Sequence, residues 1–281
     1  MTKPQAKACP SIADKRRAFH TLHESGCFVI PNPWDVGSAL YLQSLGFKAL
    51  ATTSSGFAWT VGHADGQISR DASLAHLQGM VAATDVPLNA DFENGFATNA
   101  AGVGESVTLA LQCGVAGISI EDSTGDPQRP LFELDEAIAR VRAARKAIDN
   151  AGGDALLVGR AECYLVGRPV LAETIERLKA YSAAGADCLY APGLRTREDI
   201  AAVVKAVAPK PFNLLVGWPS ELTVKEIEAL GVRRVSVGGA LARCAWGGFI
   251  RAARSLAEEG TFTAFSEAAS GNDLNALFQG R

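Results

Sequence analysis

Four times along this chain a helical pattern ends on a glycine and a short apolar run follows at once. The four places are Leu45-Gly46-Phe47, Cys113-Gly114-Val115, Ala184-Gly185-Ala186 and Leu230-Gly231-Val232. Glycine just past a helix adopts the left-handed backbone that stops it. A short apolar run in that position reads as a strand buried on both faces. Eight such runs can be marked, at 28–31, 49–53, 88–92, 117–121, 155–160, 188–191, 212–216 and 234–237. Amphipathic stretches of helix length separate most of them, among them 71–84, 134–150, 170–184 and 241–258. Strict alternation of strand and helix means parallel strands joined by right-handed crossovers. Eight units favour a closed (β/α)8 TIM barrel over an open doubly wound sheet, and no G-x-G-x-x-G follows the first run. The 281 residues suit one such barrel. The expectation is a single domain over 1–281, with an extra N-terminal helix at 11–25 covering the barrel floor. Residues 259–281 read as a C-terminal extension, helical in part, with a break at Gly271 and Asn272.

Other classes are disfavoured. Lys and Arg are spread along the chain, and the net charge is −3, so no basic patch points to nucleic acid. No apolar stretch is long enough to span a membrane. The polar N-terminal twenty residues do not read as a signal peptide. Six cysteines, none in a C-x-x-C pair, read as free thiols, mostly buried, in a reducing cytoplasm. The four histidines lack zinc spacing and read as surface or packing residues.

The barrel fold places its active site at the carboxyl ends of the strands. Those ends are polar here, whereas the strand beginnings are plain. They include Asn32-Pro33-Trp34-Asp35, Thr53-Ser54-Ser55-Gly56, Asp91-Phe92-Glu93, Glu121-Asp122, Arg160-Ala161-Glu162 and Ser236-Val237-Gly238-Gly239. Asp91 and Glu93 stand two apart, as do Arg160 and Glu162, so on a strand each pair points one way. Converging carboxylates in a low-dielectric mouth need a counter-charge. A hard cation held by carboxylates and water fits, Mg²⁺ first and Mn²⁺ in its place. Arg160 supplies a fixed positive charge whose planar fork suits a carboxylate or phosphonate. The alternative is an ion-pair network that merely closes the barrel mouth. Asp122 has the parity that turns it away from the interior, where it would act or would only cap a loop or helix. Ser54-Ser55-Gly56 reads as an anion cradle or as an ordinary loop. No lysine ends a strand, which disfavours a Schiff base.

These motifs resemble the isocitrate lyase / phosphoenolpyruvate mutase superfamily, over about 28–254. The carrying pieces are Pro31-Asn32-Pro33-Trp34-Asp35, Ser54-Ser55-Gly56, Asp91-Phe92-Glu93-Asn94-Gly95-Phe96, Ser119-Ile120-Glu121-Asp122 and Gly231-Val232-Arg233-Arg234-Val235-Ser236. The resemblance implies Mg²⁺ at Asp91, with Asp65, Glu93 and Glu121 holding it directly or through water. It implies substrate binding by Trp34, Ser54, Ser55, Gly56, Arg160 and Asn213. It also implies a Mg²⁺-bound pyruvate enolate on the way to breaking or making a C–C or P–C bond, and a homo-oligomer, dimeric or tetrameric, with exchanged C-terminal helices.

One departure narrows the reaction. Lyases of the superfamily carry Lys-(Lys/Arg)-Cys-Gly-His in the loop after the fourth strand. Here that loop, 123–131, reads Ser-Thr-Gly-Asp-Pro-Gln-Arg-Pro-Leu, without cysteine or histidine. The reading is therefore a Mg²⁺-dependent C–C lyase or decarboxylase for a small, oxaloacetate-like 2-oxo acid, with Arg160, Glu121, Thr124 and Arg129 as its catalytic set. The alternatives are a phosphonopyruvate hydrolase or mutase, in which Thr124 or Arg129 meets the phosphonate, a methylisocitrate or isocitrate lyase, and a barrel that binds an oxo acid without turning it over.

Overall fold

The computed structural model describes residues 9–279. Eight parallel strands form one sheet in the order β1-β8-β7-β6-β5-β4-β3-β2. They are β1 (Phe28–Ile30), β2 (Leu50–Ala51), β3 (Leu88–Asp91), β4 (Gly117–Glu121), β5 (Leu156–Arg160), β6 (Cys188–Tyr190), β7 (Phe212–Leu215) and β8 (Arg234–Ser236). The seam between β1 and β2 is narrow: the Ala51 N–H donates to Pro31 O at 3.1 Å. With helices between the strands, this is a (β/α)8 barrel. The strands lie where the apolar runs predicted them, each shorter by a residue or more except β4.

The punctuating glycines behave as the sequence requires. Gly46, Gly114, Gly185 and Gly231 all take positive φ, between +87° and +107°. Helices start on short polar caps. Asp35 accepts from the Ser38 N–H ahead of Val36–Ser44, and Thr53 accepts from the Gly56 N–H ahead of Ser54–Thr60. Both caps follow strand ends, so the capping that starts each helix also fixes the rim of the barrel mouth.

The helix Ile12–Glu24 closes the opposite end. Its fully buried Phe19 plugs the barrel floor beside Ile30, Ala49, Ala51, Ala116 and Leu156. Gly117 is needed for that plug, because a Cβ there would lie 2.6 Å from the Phe19 ring. Arg16 locks the helix in place through Val115 O (3.0 Å) and Asp154 (2.6 Å).

The C-terminal region follows the helix Ala240–Arg254 with a π-turn, a 3₁₀ turn at Thr263–Glu267 and the helix Gly271–Phe278. Gly271 begins that last helix, capped by Ser270, instead of breaking one. The cysteines are all free, but only Cys163 and Cys188 are buried, and Cys9 and Cys244 are exposed. No helix among the described residues is long and apolar enough to cross a membrane.

Candidate active site

A cavity of about 160 Å³ opens at the carboxyl ends of the strands. Its wall includes Thr52, Ser54, Ser55, Asp65, Asp91, Arg160 and Tyr190. Asp91 ends β3 and is held from several sides. Its Oδ2 accepts from the Ser54 N–H (3.0 Å) and Oγ (3.1 Å), and its Oδ1 accepts from Arg160 Nη1 (3.0 Å). The Asp91 N–H donates to Thr52 Oγ1 at 2.9 Å, which ties this corner to the end of β2. Ser54 Oγ lies 3.4 Å from Asp65 Oδ1, so one hydroxyl stands between two carboxylates.

Arg160 ends β5 and gathers three carboxylates: Asp91, Glu121 at 3.3 Å, and Glu162 through Nε. Its guanidinium also lies over the Tyr190 ring, 5.0 Å from the centroid. Burial works against the charge, but Glu162, Glu121 and Asp91 outweigh it and hold Arg160 well above its ordinary pKa.

One cation is too few for this company. Burial raises the Glu93 carboxyl to about 7, with Asp91 and Asp65 adding to the effect. Burial raises Glu121 and Glu162 as well, against the pull of Arg160. Asp65 is raised by lost hydration and by Asp91. The alternation that was to align Asp91 with Glu93 does not reach Glu93, because β3 stops at Asp91. Glu93 instead adopts a left-handed backbone, φ +47°, which costs a non-glycine residue about 1–3 kcal/mol. That conformation leaves its buried Oε1 without a hydrogen-bond partner.

An orphaned carboxyl oxygen among carboxyls held above their usual range is the donor chemistry of a hard divalent cation. Among the described residues, no three His, Cys, Asp or Glu side chains form a ready-made cage. Mg²⁺ does not need one, because it keeps several waters and is commonly held by one or two carboxylates together with its substrate.

The remaining sequence candidates are spread around this cavity. Gly56 stands behind the wall, packed so closely that a Cβ would lie 2.8 Å from Trp34 Cβ. Trp34 itself faces a neighbouring crevice with Thr60, Ala245, Trp246 and Phe249. Asn213 is buried beneath the cavity, donating to Ser236 Oγ at 2.9 Å. Thr124 and Arg129 sit outside it, on the loop after Asp122, with Arg129 paired to Glu136. Asp122 faces away from the cavity, as its parity implies, and accepts from Tyr181 Oη, the Glu162 N–H and Arg177. Several lining residues carried no signal at strand ends: Asn89, Ser119 and Arg234 lie earlier on their strands and point inward. Alternation is the clue for each, from Asp91 back to Asn89, from Glu121 back to Ser119 and from Ser236 back to Arg234.

Several known proteins are similar to this chain. The family model described as phosphoenolpyruvate phosphomutase matches residues 19–257. A lyase/mutase of Burkholderia cenocepacia J2315 is 46% identical, with a TM-score of 0.92 over 95% of this chain and 97% of its own. Oxaloacetate decarboxylase of Paraburkholderia xenovorans (strain LB400) is 31% identical over 236 residues, 80% of this chain and 75% of that protein. Oxaloacetate acetylhydrolase, solved with the product oxalate, is 25% identical with a TM-score of 0.83, over 95% of each chain. The chain belongs to the phosphoenolpyruvate phosphomutase family. It is an enzyme of the lyase type.

Proposed function

We propose that the protein is a Mg²⁺-dependent decarboxylase or C–C lyase acting on oxaloacetate or a close analogue. The observation that carries this reading is the make-up of the cavity wall. It is small and polar, and among the described residues no cysteine, histidine or lysine lines it. Retro-aldol cleavage of a hydroxy acid calls for a placed base and acid. Decarboxylation needs neither, because CO₂ leaves without a proton and solvent can protonate the carbon afterwards. Two relatives named for reactions of oxaloacetate support the same substrate class.

Asp91, with Asp65, Glu93 and Glu121 directly or through water, would hold the cation. When bound, that cation supplies Lewis-acid stabilisation of negative charge on the 2-oxo oxygen. Ser54 orients Asp91 through both its N–H and its hydroxyl. Arg160 fixes Asp91, Glu121 and Glu162 relative to one another, and its stacking on Tyr190 limits its movement. Ser55, in the first turn of a helix, offers its N–H and hydroxyl to the substrate carboxylate, whereas both donors of Ser54 are taken by Asp91. Arg129, paired to Glu136 outside the cavity, would have to leave that pair to meet the substrate. We further read the protein as a cytoplasmic homo-oligomer, supported by its free thiols and by exposed Trp246, Phe249, Phe262 and Phe265.

The test is to assay oxaloacetate, phosphonopyruvate and 2-methylisocitrate side by side, with Mg²⁺ and with EDTA. Oxaloacetate should be consumed only with the metal, and Asp91→Ala should lower kcat/KM by about 10³-fold or more. Turnover of 2-methylisocitrate alone would sink the reading.

A further inference from the structure

We propose that Arg234 is the receptor for a second carboxylate of the substrate, held at the floor of the cavity with its charge unneutralised by the protein. This rests on the oxo-diacid reading above for the identity of the ligand, though not for the site itself.

Arg234 opens β8 and alternates with Ser236, so both point into the barrel, and both line the cavity. Arg234 is 2% exposed. A buried charge is normally paired, because leaving water without a counter-ion is costly. Arg234 has only neutral company. Its Nε donates to Asn213 Oδ1 at 2.7 Å and its Nη1 to Asn89 Oδ1 at 3.4 Å. Neither amide is free to turn. Asn213 Nδ2 is held on Ser236 Oγ at 2.9 Å, and Asn89 Nδ2 on Ala90 O at 3.0 Å. Among the described residues no carboxylate lies within salt-bridge reach of the guanidinium. Among the described residues its Nη2 shows no hydrogen-bond partner, it is not among the atoms sealed from solvent without one, and the residue lines the cavity.

The other guanidinium of the cavity differs in kind. Arg160 is surrounded by Asp91, Glu121 and Glu162 and has no net charge to spare for an anion. Arg234 therefore carries the anion-attracting charge. Two asparagines suit that role, because they orient the fork by hydrogen bonds without cancelling it. The fitting ligand group is a carboxylate, which a guanidinium can bind through a charge-assisted bond. It is the group that separates a 2-oxo diacid from a 2-oxo monoacid.

The experiment is calorimetric binding of malonate and acetate in EDTA, so that neither metal nor turnover enters. The wild-type protein should bind malonate at least about tenfold more tightly than acetate, about 1.4 kcal/mol. Arg234→Gln should bring that ratio close to one, and Arg234→Lys should restore part of it. Asn213→Asp is the second variant. It is nearly isosteric and places an anion on the guanidinium, so it too should abolish the preference while keeping the packing. A malonate preference that survives in Asn213→Asp, or in a folded Arg234→Gln, overturns the proposal, as does its absence in the wild type. If the preference follows Arg234 while oxaloacetate is not turned over, the decarboxylase reading fails and the anion site stands.

Discussion

Glu121 and Asp122 are neighbours on the chain at the end of β4, and they live in opposite surroundings. Glu121 points into the barrel mouth. Burial raises its pKa well above the usual range, and Glu162, Asp91 and Glu93 add to it against the single pull of Arg160. Asp122 points out between the strands and the helix Leu171–Ala183. Burial raises it too, but donors oppose this: Tyr181 Oη at 2.5 Å, the Glu162 N–H at 2.8 Å and Arg177 at 3.2 Å. One carboxylate is surrounded by its own kind and the other by donors. Repulsion that a fold keeps in place marks a site completed by something from outside, whereas saturation marks a joint of the scaffold. The two sides also meet, since Asp122 holds the backbone of Glu162, whose side chain holds Arg160.

The largest effect that would break this comparison is on stability. Asp122→Ala leaves Arg177 and Tyr181 buried without their acceptor, and should cost about 3–5 kcal/mol in urea unfolding. Glu121→Gln removes one of several repelling charges and should shift stability by no more than about 1 kcal/mol. Activity should fall in both, through the metal wall in Glu121→Gln and through the displaced Glu162–Arg160 pair in Asp122→Ala. Equal stability losses in the two variants would show that the neighbours are not different in kind.

The cavity side should also reveal itself through pH. Glu93 is raised from an ordinary 4.5 to about 7 by burial, then by Asp91 and Asp65. The folded protein therefore binds this proton more tightly than the unfolded chain does. The stability that the proton confers is complete below about pH 4.5 and is lost as pH rises toward 7, by up to about 3 kcal/mol. Metal-free protein in EDTA should melt at progressively lower temperature across that window. Glu93→Gln should flatten the slope, and Mg²⁺ should oppose it by favouring the ionised form. A melting temperature that climbs from pH 5 to pH 7 in EDTA would contradict the crowded-carboxylate picture.

Much of this contrast was open to inspection in the sequence, for definable reasons. The glycines at 46, 114, 185 and 231 fixed where helices stop, and the apolar runs fixed the strands, because both are local properties. The parity that separates Glu121 from Asp122 was legible because β4 runs through Glu121. The same parity did not reach Glu93, since β3 stops at Asp91 and a left-handed residue resets the direction. Arg234 stands at the start of its strand, away from the polar strand ends, and its long side chain reaches the same cavity from below. The partners of Asp122 were not legible either: Tyr181 and Arg177 lie on a helix more than fifty residues later, and only the closed barrel brings them to it.

The smallest effect concerns the loop that leaves Asp122. Its base is fixed to Asp122, whose carbonyl accepts from the Phe132 N–H at 2.9 Å, and Thr124 N–H donates to Pro130 O at 3.1 Å. Among the described residues its outer arm is tethered by Arg129, which pairs with Glu136 in an exposed ion pair and lies 5.9 Å over the Phe132 ring. Such pairs contribute about 0.2–1 kcal/mol, so opening this one costs at most about fivefold in population. If Thr124 and Arg129 work over the substrate, Glu136→Gln should raise kcat/KM by up to about that factor. Buried Arg140 also loses its counter-charge in Glu136→Gln, though it keeps the carbonyls of Asn94 and Ala97 and its stacking on Phe132, so unfolding is measured beside the kinetics. Steady-state kinetics on Glu136→Gln beside Arg129→Gln decide the matter. A gain in the first and a loss in the second would bring the loop into the cavity's chemistry. No change in either would assign it to the Asp122 side, as part of the scaffold.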